Sequence, residues 1–161
     1  PDSHKRYGGY WHPGYAWAMR RKAFENIGGL IDFAIVGAAD WHMARSFIGQ
    51  AKITLNQPYT SSYRDKILAF QERCERYIER DVGHVPGLIT HEWHGKKSDR
   101  GYPTRSKILV DHKFDPDTDI NHNYGKRGLI EWSHMSNERM RGLRDDVRRY
   151  LRSRNEDSID T

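Results

Sequence analysis

The sequence predicts an α/β fold on three observations. Two long segments repeat apolar residues at spacings of three and four, the period of an amphipathic helix. Between the helical segments lie short apolar runs, such as Tyr15–Met19, that are typical of buried strands. Aromatic residues make up 12% of the 161 residues, which is enough for a core although the mean hydropathy is −0.94. The first helical stripe consists of Tyr63, Ile67, Phe70, Cys74, Tyr77 and Ile78.

Local signals divide the chain into elements of a single domain over residues 1–155, followed by a frayed tail at 156–161. Gly28 and Gly29 are expected to end the first helix, and Ser62 with Asp65 resembles a capping pair at the start of another. The expected helices span 22–27, 40–47, 62–80, 104–111 and 136–154, and the expected strands span 15–19, 52–55, 87–91 and 129–132.

The net charge, the single cysteine and the lack of a long apolar run indicate which partners and which compartment to expect. A net charge of +5 favours anionic partners such as nucleotides, nucleic acids or acidic glycans. The arginines of the last helical segment are expected to form a solvated face. Cys74 is the single cysteine, so an internal disulfide is excluded, and its place on the apolar stripe predicts a core position. No signal peptide and no apolar run of about 20 residues is visible, so a cytoplasmic protein without a membrane segment is expected.

Two histidines form the clearest candidate for metal chemistry. His91 and His94 flank Trp93 and are followed by Gly95. Residues three apart on an extended segment point to opposite faces, so both could bind one metal only if the chain turns there. Imidazole with oxygen ligands suits Zn or Mn. In the competing interpretation, one histidine packs in the core and the other lies in solvent.

Asp40 is the candidate general base, and it also has a simpler interpretation. An Asp directly before a helical stripe is a common N-cap, which contributes about 1 kcal/mol. A carboxylate at the edge of a cleft could instead accept a proton during catalysis. Spacing favours the cap. The acidic run Asp115–Asp119 resembles a calcium loop, but position six is Ile120 rather than Gly, so we expect a turn there.

Three patches of the chain resemble the second half of GT-A type glycosyltransferases, close to family 2 and the galactosyltransferase-like groups. Those proteins have a strand of aromatic and small residues, a helix that ends in Gly-Gly-(Leu/Phe), and an acidic motif that opens the next helix. The corresponding patches are Gly14–Arg21, Phe24–Leu30 and Gly37–Ala44. A downstream histidine of the family falls in His91–His94. The resemblance extends from about Pro13 to Arg105.

This resemblance implies a fold and a reaction. The fold would be the C-terminal part of a GT-A domain, a mixed sheet with flanking helices. The reaction would transfer a sugar from a nucleotide-diphosphate donor, such as a UDP-sugar, to a hydroxyl of a glycan or another acceptor, with inversion. A divalent cation, Mn or Mg, would bridge the diphosphate of the donor.

The resemblance also implies roles for individual residues. Asp40 would deprotonate the acceptor hydroxyl. His94 is preferred over His91 as the metal ligand, because basic residues follow it directly. The residues expected to line the sugar pockets are His12, Trp17 and Trp93, and those expected to contact phosphate or a closing loop are Arg100, Tyr102 and Arg105.

The chain also departs from the family pattern. Ala39 stands where an acidic residue commonly precedes the base, and Val36–Ala38 replaces a Trp-Gly-Gly. The donor half with its Asp-x-Asp is not in the chain, so the chain alone is expected to be inactive. Two alternatives stay open: a metal-dependent nuclease or nucleic-acid-binding domain, and a non-catalytic carbohydrate-binding domain. Nucleic acid is the less favoured partner, because the sequence has no recognised nuclease motif or DNA-reading module.

Overall fold

The computed structural model describes residues 13–90, 92, 95–122, 129–133 and 137–156. Helices dominate this part of the chain, and a short antiparallel pair of strands lies between the last two. The helices are α1 (Arg21–Asn26), α2 (Ala39–Phe47), α3 (Ser61–Tyr77), α4 (Ser106–Asp111) and α5 (Glu138–Ser153), with 3-10 turns at Ala51–Thr54 and Lys97–Arg100 and strands β1 (Ile120–Asn121) and β2 (Glu131–Trp132).

The first helix ends where its glycines predict. Gly28 and Gly29 both have positive φ, at 84° and 82°. The N–H of Gly28 donates to the carbonyl of Glu25 at 3.1 Å, and that of Gly29 donates to Phe24 at 2.9 Å. This pair of bonds is the Schellman motif, which satisfies the last carbonyls of a helix.

Helix α3 is the centre of the packing, with α2 lying against it. The rings of Phe47 on α2 and Phe70 on α3 lie 6.2 Å apart. Cys74 is fully buried, as its position on the apolar stripe predicts, and burial raises the pKa of its thiol to about 12. The core is formed by residues from both ends of the chain, among them Ile27, Phe33, Met43, Phe47, Tyr63, Ile67, Phe70, Leu109, Phe114, Met140, Leu143 and Val147.

The cap of α3 is Thr60, so the prediction of a Ser62–Asp65 capping pair is wrong. The Thr60 hydroxyl accepts from the N–H of Tyr63 at 3.4 Å and donates to the carbonyl of Phe114 at 2.7 Å. Ser62 has a different partner, the carboxylate of Asp117 at 2.6 Å. The start of α3 is therefore fixed to the later part of the chain, a long-range contact that local spacing does not reveal.

The turn at Asp115–Asp119 lies between α4 and β1, and the expectation of a turn there is confirmed. Asp119 is fully buried and binds Arg139 through both carboxylate oxygens, at 2.5 and 2.8 Å. Burial alone would raise the pKa of Asp119, but hydrogen bonds from Arg139 and from the N–H of Asp115 hold it below its ordinary value. The expectation that all arginines of α5 are solvated is thus wrong at Arg139.

The predicted strands are mostly wrong. Residues 15–19 and 87–90 are in neither helix nor strand, and Lys52–Leu55 is largely a 3-10 turn. That turn forms because Thr54 donates to the carbonyl of Ala51 at 2.7 Å, while Gln71 accepts from the Ala51 N–H at 2.6 Å. The strand predicted at 129–132 is confirmed for its last two residues, which form β2, and its partner β1 was not predicted; Ile120 pairs with Trp132.

The sheet in the described residues has these two strands, β1 and β2. The larger mixed sheet of a GT-A fold stays a prediction. Across the described part of the chain, none of the helices is both long enough and apolar enough to cross a bilayer.

Candidate functional site

Asp40 lies in the first turn of α2, not at its N-cap. The N-cap is Ala38, which has a left-handed φ of 74° and no capping side chain. The simpler interpretation of Asp40 as a cap is therefore wrong. A carboxylate in the first turn is favoured by the helix dipole, and it remains available for other contacts.

The carboxylate of Asp40 packs closely beside Gly14. A Cβ on Gly14 would lie 2.6 Å from Oδ2 of Asp40, closer than real Cβ atoms approach. Within the described part of the chain, the carboxylate makes no hydrogen bond and no ion pair. Gly14 is thus a residue that sequence reasoning missed as part of the site. The signal available was a glycine after Pro13, in a segment rich in aromatic residues.

A cation from far along the sequence approaches the turn that leads into α2. A Cβ on Gly37 would lie 2.7 Å from Nη1 of Arg105, and Gly37 has a φ of 98° that favours glycine. The guanidinium carbon of Arg105 lies 4.8 Å from the ring centre of Tyr102. Among the residues that the structure describes, Arg105 forms no ion pair. Asp40 and Arg105 therefore place opposite charges at and just before the start of α2, and they form no ion pair with each other.

Trp17 lies further along the same face of α2. Its ring centre is 5.0 Å from that of Phe47, its indole N–H donates to the carbonyl of Pro13, and 39% of the residue is exposed. Phe47 follows Asp40 by seven residues, which places it on the same helix face about 10 Å along the axis. The structure thus brings Trp17, a predicted sugar-pocket residue, to the Asp40 face of α2.

Arg100 is held elsewhere, at the end of α5. Its guanidinium lies 3.6 Å from the carboxylate of Glu156, and its carbonyl accepts from the hydroxyl of Tyr150 at 3.1 Å. Through these two contacts, Arg100 connects the 3-10 turn at Lys97–Arg100 to Tyr150 of α5 and to Glu156. The described contacts of Arg100 thus differ from those of Arg105, although the sequence grouped them.

The predicted metal ligands His91 and His94, and the predicted pocket residues His12 and Trp93, lie outside the described residues. No group of three or more His, Cys, Asp or Glu side chains that could hold a metal ion occurs among the residues that are described. The divalent cation therefore stays a prediction.

A buried network of hydrogen bonds connects α2 to α3 through the side chain of His42. Thr54 donates to the carbonyl of Ala51, so its oxygen accepts from Nδ1 of His42 at 2.6 Å. Nε2 of His42 then accepts from the hydroxyl of Tyr63 at 3.1 Å. Burial, helped by the charge of Arg105, lowers the pKa of His42 to about 4. His42 is thus neutral, and sequence spacing gave no signal of its role.

Comparisons with family models, curated proteins and solved structures find no match for this chain. The features from which a function can be inferred lie at the start of α2. There the described residues supply a carboxylate at Asp40, a guanidinium at Arg105, and two glycines, Gly14 and Gly37, beside which these groups pack closely.

Proposed function

We propose that the chain is the acceptor-side part of a GT-A type glycosyltransferase, which transfers a sugar from a nucleotide-diphosphate donor to a hydroxyl. The observation that supports this proposal is the carboxylate of Asp40, which has no hydrogen bond or ion pair among the described residues and lies next to the turn that Arg105 reaches. A base for hydroxyl activation and a cation for a leaving diphosphate are the two groups that this reaction needs.

In the proposed reaction, Asp40 accepts the proton of the acceptor hydroxyl while the hydroxyl oxygen bonds to the anomeric carbon of the donor. The bond from that carbon to the diphosphate oxygen breaks, and the nucleoside diphosphate leaves with the bonding electrons. Attack opposite the leaving group inverts the anomeric centre. Arg105 stabilises the negative charge that the diphosphate gains, since its guanidinium can bind two phosphate oxygens at once.

Two further groups would complete this site. Trp17 offers an exposed aromatic face along α2, which suits the apolar side of a sugar ring. A divalent cation bound through His94 or His91 would supply Lewis-acid stabilisation of the diphosphate. Both histidines lie outside the described residues, and we assign no step to the cation.

The proposal is tested by changing Asp40 to Asn in the longest natural form of the protein. Release of nucleoside diphosphate from UDP- and GDP-sugars, with Mn and a panel of glycan acceptors, would be measured for both forms. We expect Asp40→Asn to lower turnover by about 10²–10⁴-fold. Asp65→Asn is the matched control, because Asp65 is exposed on α3. Equal turnover in wild type and Asp40→Asn would refute Asp40 as the base.

Sugar binding without transfer is the second candidate. It is favoured by the lack, in the part of the chain that is described, of any side chain that orients the Asp40 carboxylate by a hydrogen bond. Under this candidate, the wild-type protein binds glycans on an array without consuming donor, and Asp40→Asn binds them equally. Cleavage of plasmid DNA with Mn would instead support the nuclease alternative.

A further inference from the structure

A groove on the side of α5 that faces β2 is separate from the candidate transferase site. It has a volume of about 580 Å³ and is partly open to solvent. One strand residue and five residues of α5 line it, namely Trp132, Arg144, Val147, Arg148, Leu151 and Arg152.

The floor of this groove is apolar. Val147 is buried, whereas Leu151 is 49% exposed. The core face of α5 is formed by Met140, Leu143, Val147 and Tyr150. Leu151 follows Val147 by four residues and lies about 40° from it around the helix, so it continues this apolar side into the last turn of α5, where it is half exposed.

The rim of the groove is cationic. Arg144, Arg148 and Arg152 follow one another at intervals of four residues, about 6 Å along the helix axis at each step. Arg148 has a partner in Asp145 at 3.8 Å, but both side chains are about two-thirds exposed, which makes the pair weak. Arg152 forms no ion pair among the described residues.

The aromatic side chain of the groove is already engaged. The guanidinium carbon of Arg144 lies 5.9 Å from the ring centre of Trp132, and Arg144 also donates to the carbonyl of Ser133 at 2.5 Å. A nucleobase stacking on this face of Trp132 would have to displace the guanidinium. The aliphatic floor offers no second ring for stacking. These contacts favour a partner with aliphatic and acidic side chains over a nucleic acid.

We propose that this groove binds an acidic amphipathic helix of a protein partner. Apolar side chains of the partner would cover Leu151 and Val147, and its carboxylates would pair with Arg148 and Arg152. A helix with acidic residues at every fourth position matches the 6 Å spacing of the arginines. The charge of the rim is the argument for an acidic partner rather than a second copy of this chain, which carries a net charge of +5.

The proposal is tested with a synthetic helix of about 16 residues, in which glutamates recur at every fourth position beside leucines. Its binding to the wild-type protein would be measured by fluorescence anisotropy at low and at physiological salt. We expect Arg148→Glu with Arg152→Glu to weaken binding by at least about tenfold, because two attractions become repulsions. Leu151→Ala is expected to weaken it by a smaller factor.

Arg149→Glu is the matched control, since Arg149 lies on another face of α5 and is 75% exposed. It is expected to leave peptide binding within about twofold of wild type. A peptide with lysines in place of the glutamates should not bind. The proposal is overturned if both peptides bind equally, if Arg149→Glu weakens binding as much as the double variant, or if single-stranded RNA binds more tightly than the acidic peptide. Circular dichroism of each variant verifies that the fold is kept.

Discussion

The side chain of His42 is a polar group enclosed by the core. It is 1% exposed, and its two ring nitrogens bond to Thr54 and Tyr63. A neutral imidazole with one donor and one acceptor satisfies both partners, whereas a protonated ring would have two donors and no acceptor for the Tyr63 hydroxyl proton. The neutral form of His42 therefore fits the bonds that join α2 to α3, whereas a protonated ring would require the Tyr63 hydroxyl to become an acceptor.

Acid should destabilise the protein through His42 at a pH well above that of carboxylate titration. In the unfolded chain His42 binds a proton below pH 6.5, whereas in the folded protein it does so only below about 4. The unfolded state thus binds more protons between these values, and stability falls as the pH decreases. By pH 5 we expect a loss of about 2 kcal/mol, measured by urea unfolding at pH 7 and pH 5. His42→Gln should be less stable at pH 7 and much less sensitive to this pH change; an equally steep loss would contradict the assignment.

A methyl group at Gly14 should alter activity more than stability. Its backbone φ lies outside the left-handed region, so Ala is accommodated, but the new Cβ would displace the carboxylate of Asp40. We expect Gly14→Ala to lower transferase turnover by about tenfold, as expected for a misplaced catalytic group, while the melting temperature changes little. Ala16→Gly, in the same segment, is the control. Unchanged turnover would mean that the contact between Gly14 and Asp40 has no role in the reaction.

At the level of single residues, the sequence predicted identities better than environments. The sequence placed Asp40 near the start of a helix, which the structure confirms, but its position inside the first turn depends on the φ of Ala38. Arg105 was chosen for its charge, and its approach to Gly37 depends on the packing of segments 68 residues apart in the chain. Distances of this kind come from tertiary packing, which no local pattern encodes.

At the level of elements, α5 is joined to the turn before β1 by one buried ion pair. Asp119 is 0% exposed, whereas the guanidinium of Arg139 extends toward the surface. Arg139 also donates to the carbonyl of His112 at 3.0 Å, so one side chain connects α5 with two segments of chain. A buried carboxylate of this kind depends on its partner, because its own desolvation is unfavourable.

Loss of the Arg139 guanidinium should therefore lower the free energy of unfolding. We expect Arg139→Met to lower the free energy of unfolding by about 3–5 kcal/mol, since Asp119 would remain buried without its cation. Arg149→Met removes an ion pair with Asp146 at the surface of the same helix and should lower it by less than about 1 kcal/mol. Denaturant unfolding at pH 7 compares the two. Similar losses in both variants would show that burial of Asp119 does not govern the stability of this contact.

The elements that the sequence predicted well are those with the strongest periodicity. Helices α3 and α5 carry long apolar stripes, and the structure places them within three residues of their expected bounds. Strands were predicted from short apolar runs, which do not distinguish a strand from a turn or an exposed segment. At Ala51–Thr54 the outcome was decided by side chains of other elements, Gln71 and His42, that bond to this turn.

At the level of the whole molecule, an exposed segment separates two parts of the chain. Residues 81–90 are all exposed, with Val85 at 92% and Leu88 at 89%, and a Cβ on Gly83 or Gly87 would meet no atom within 4 Å. The parts before and after this segment are held together by Thr60 with Phe114 and by Lys66 with Asp117. The core contains residues of both parts.

Limited proteolysis should therefore cut the chain within this segment first. We expect elastase to cleave after Val82, because exposed backbone can enter a protease site, whereas the bond after Val85 is protected by Pro86. The two products should stay associated, since the contacts that join them lie elsewhere. Gel electrophoresis under denaturing conditions would show two fragments, and size exclusion under native conditions a single peak. Cleavage within α3 at the same rate would contradict the exposure of this segment.

The same segment bears on how chains of this kind can diverge. Asp40 comes from the part before residue 81 and Arg105 from the part after residue 90, and the described contacts that position them, at Gly14 and Gly37, involve no residue of 81–90. Lengthening a loop costs little, because its closure entropy grows only with the logarithm of its length. Residues 81–90 are thus where related sequences can gain or lose residues, or accept an inserted domain, while the spacing of Asp40 and Arg105 in space is retained.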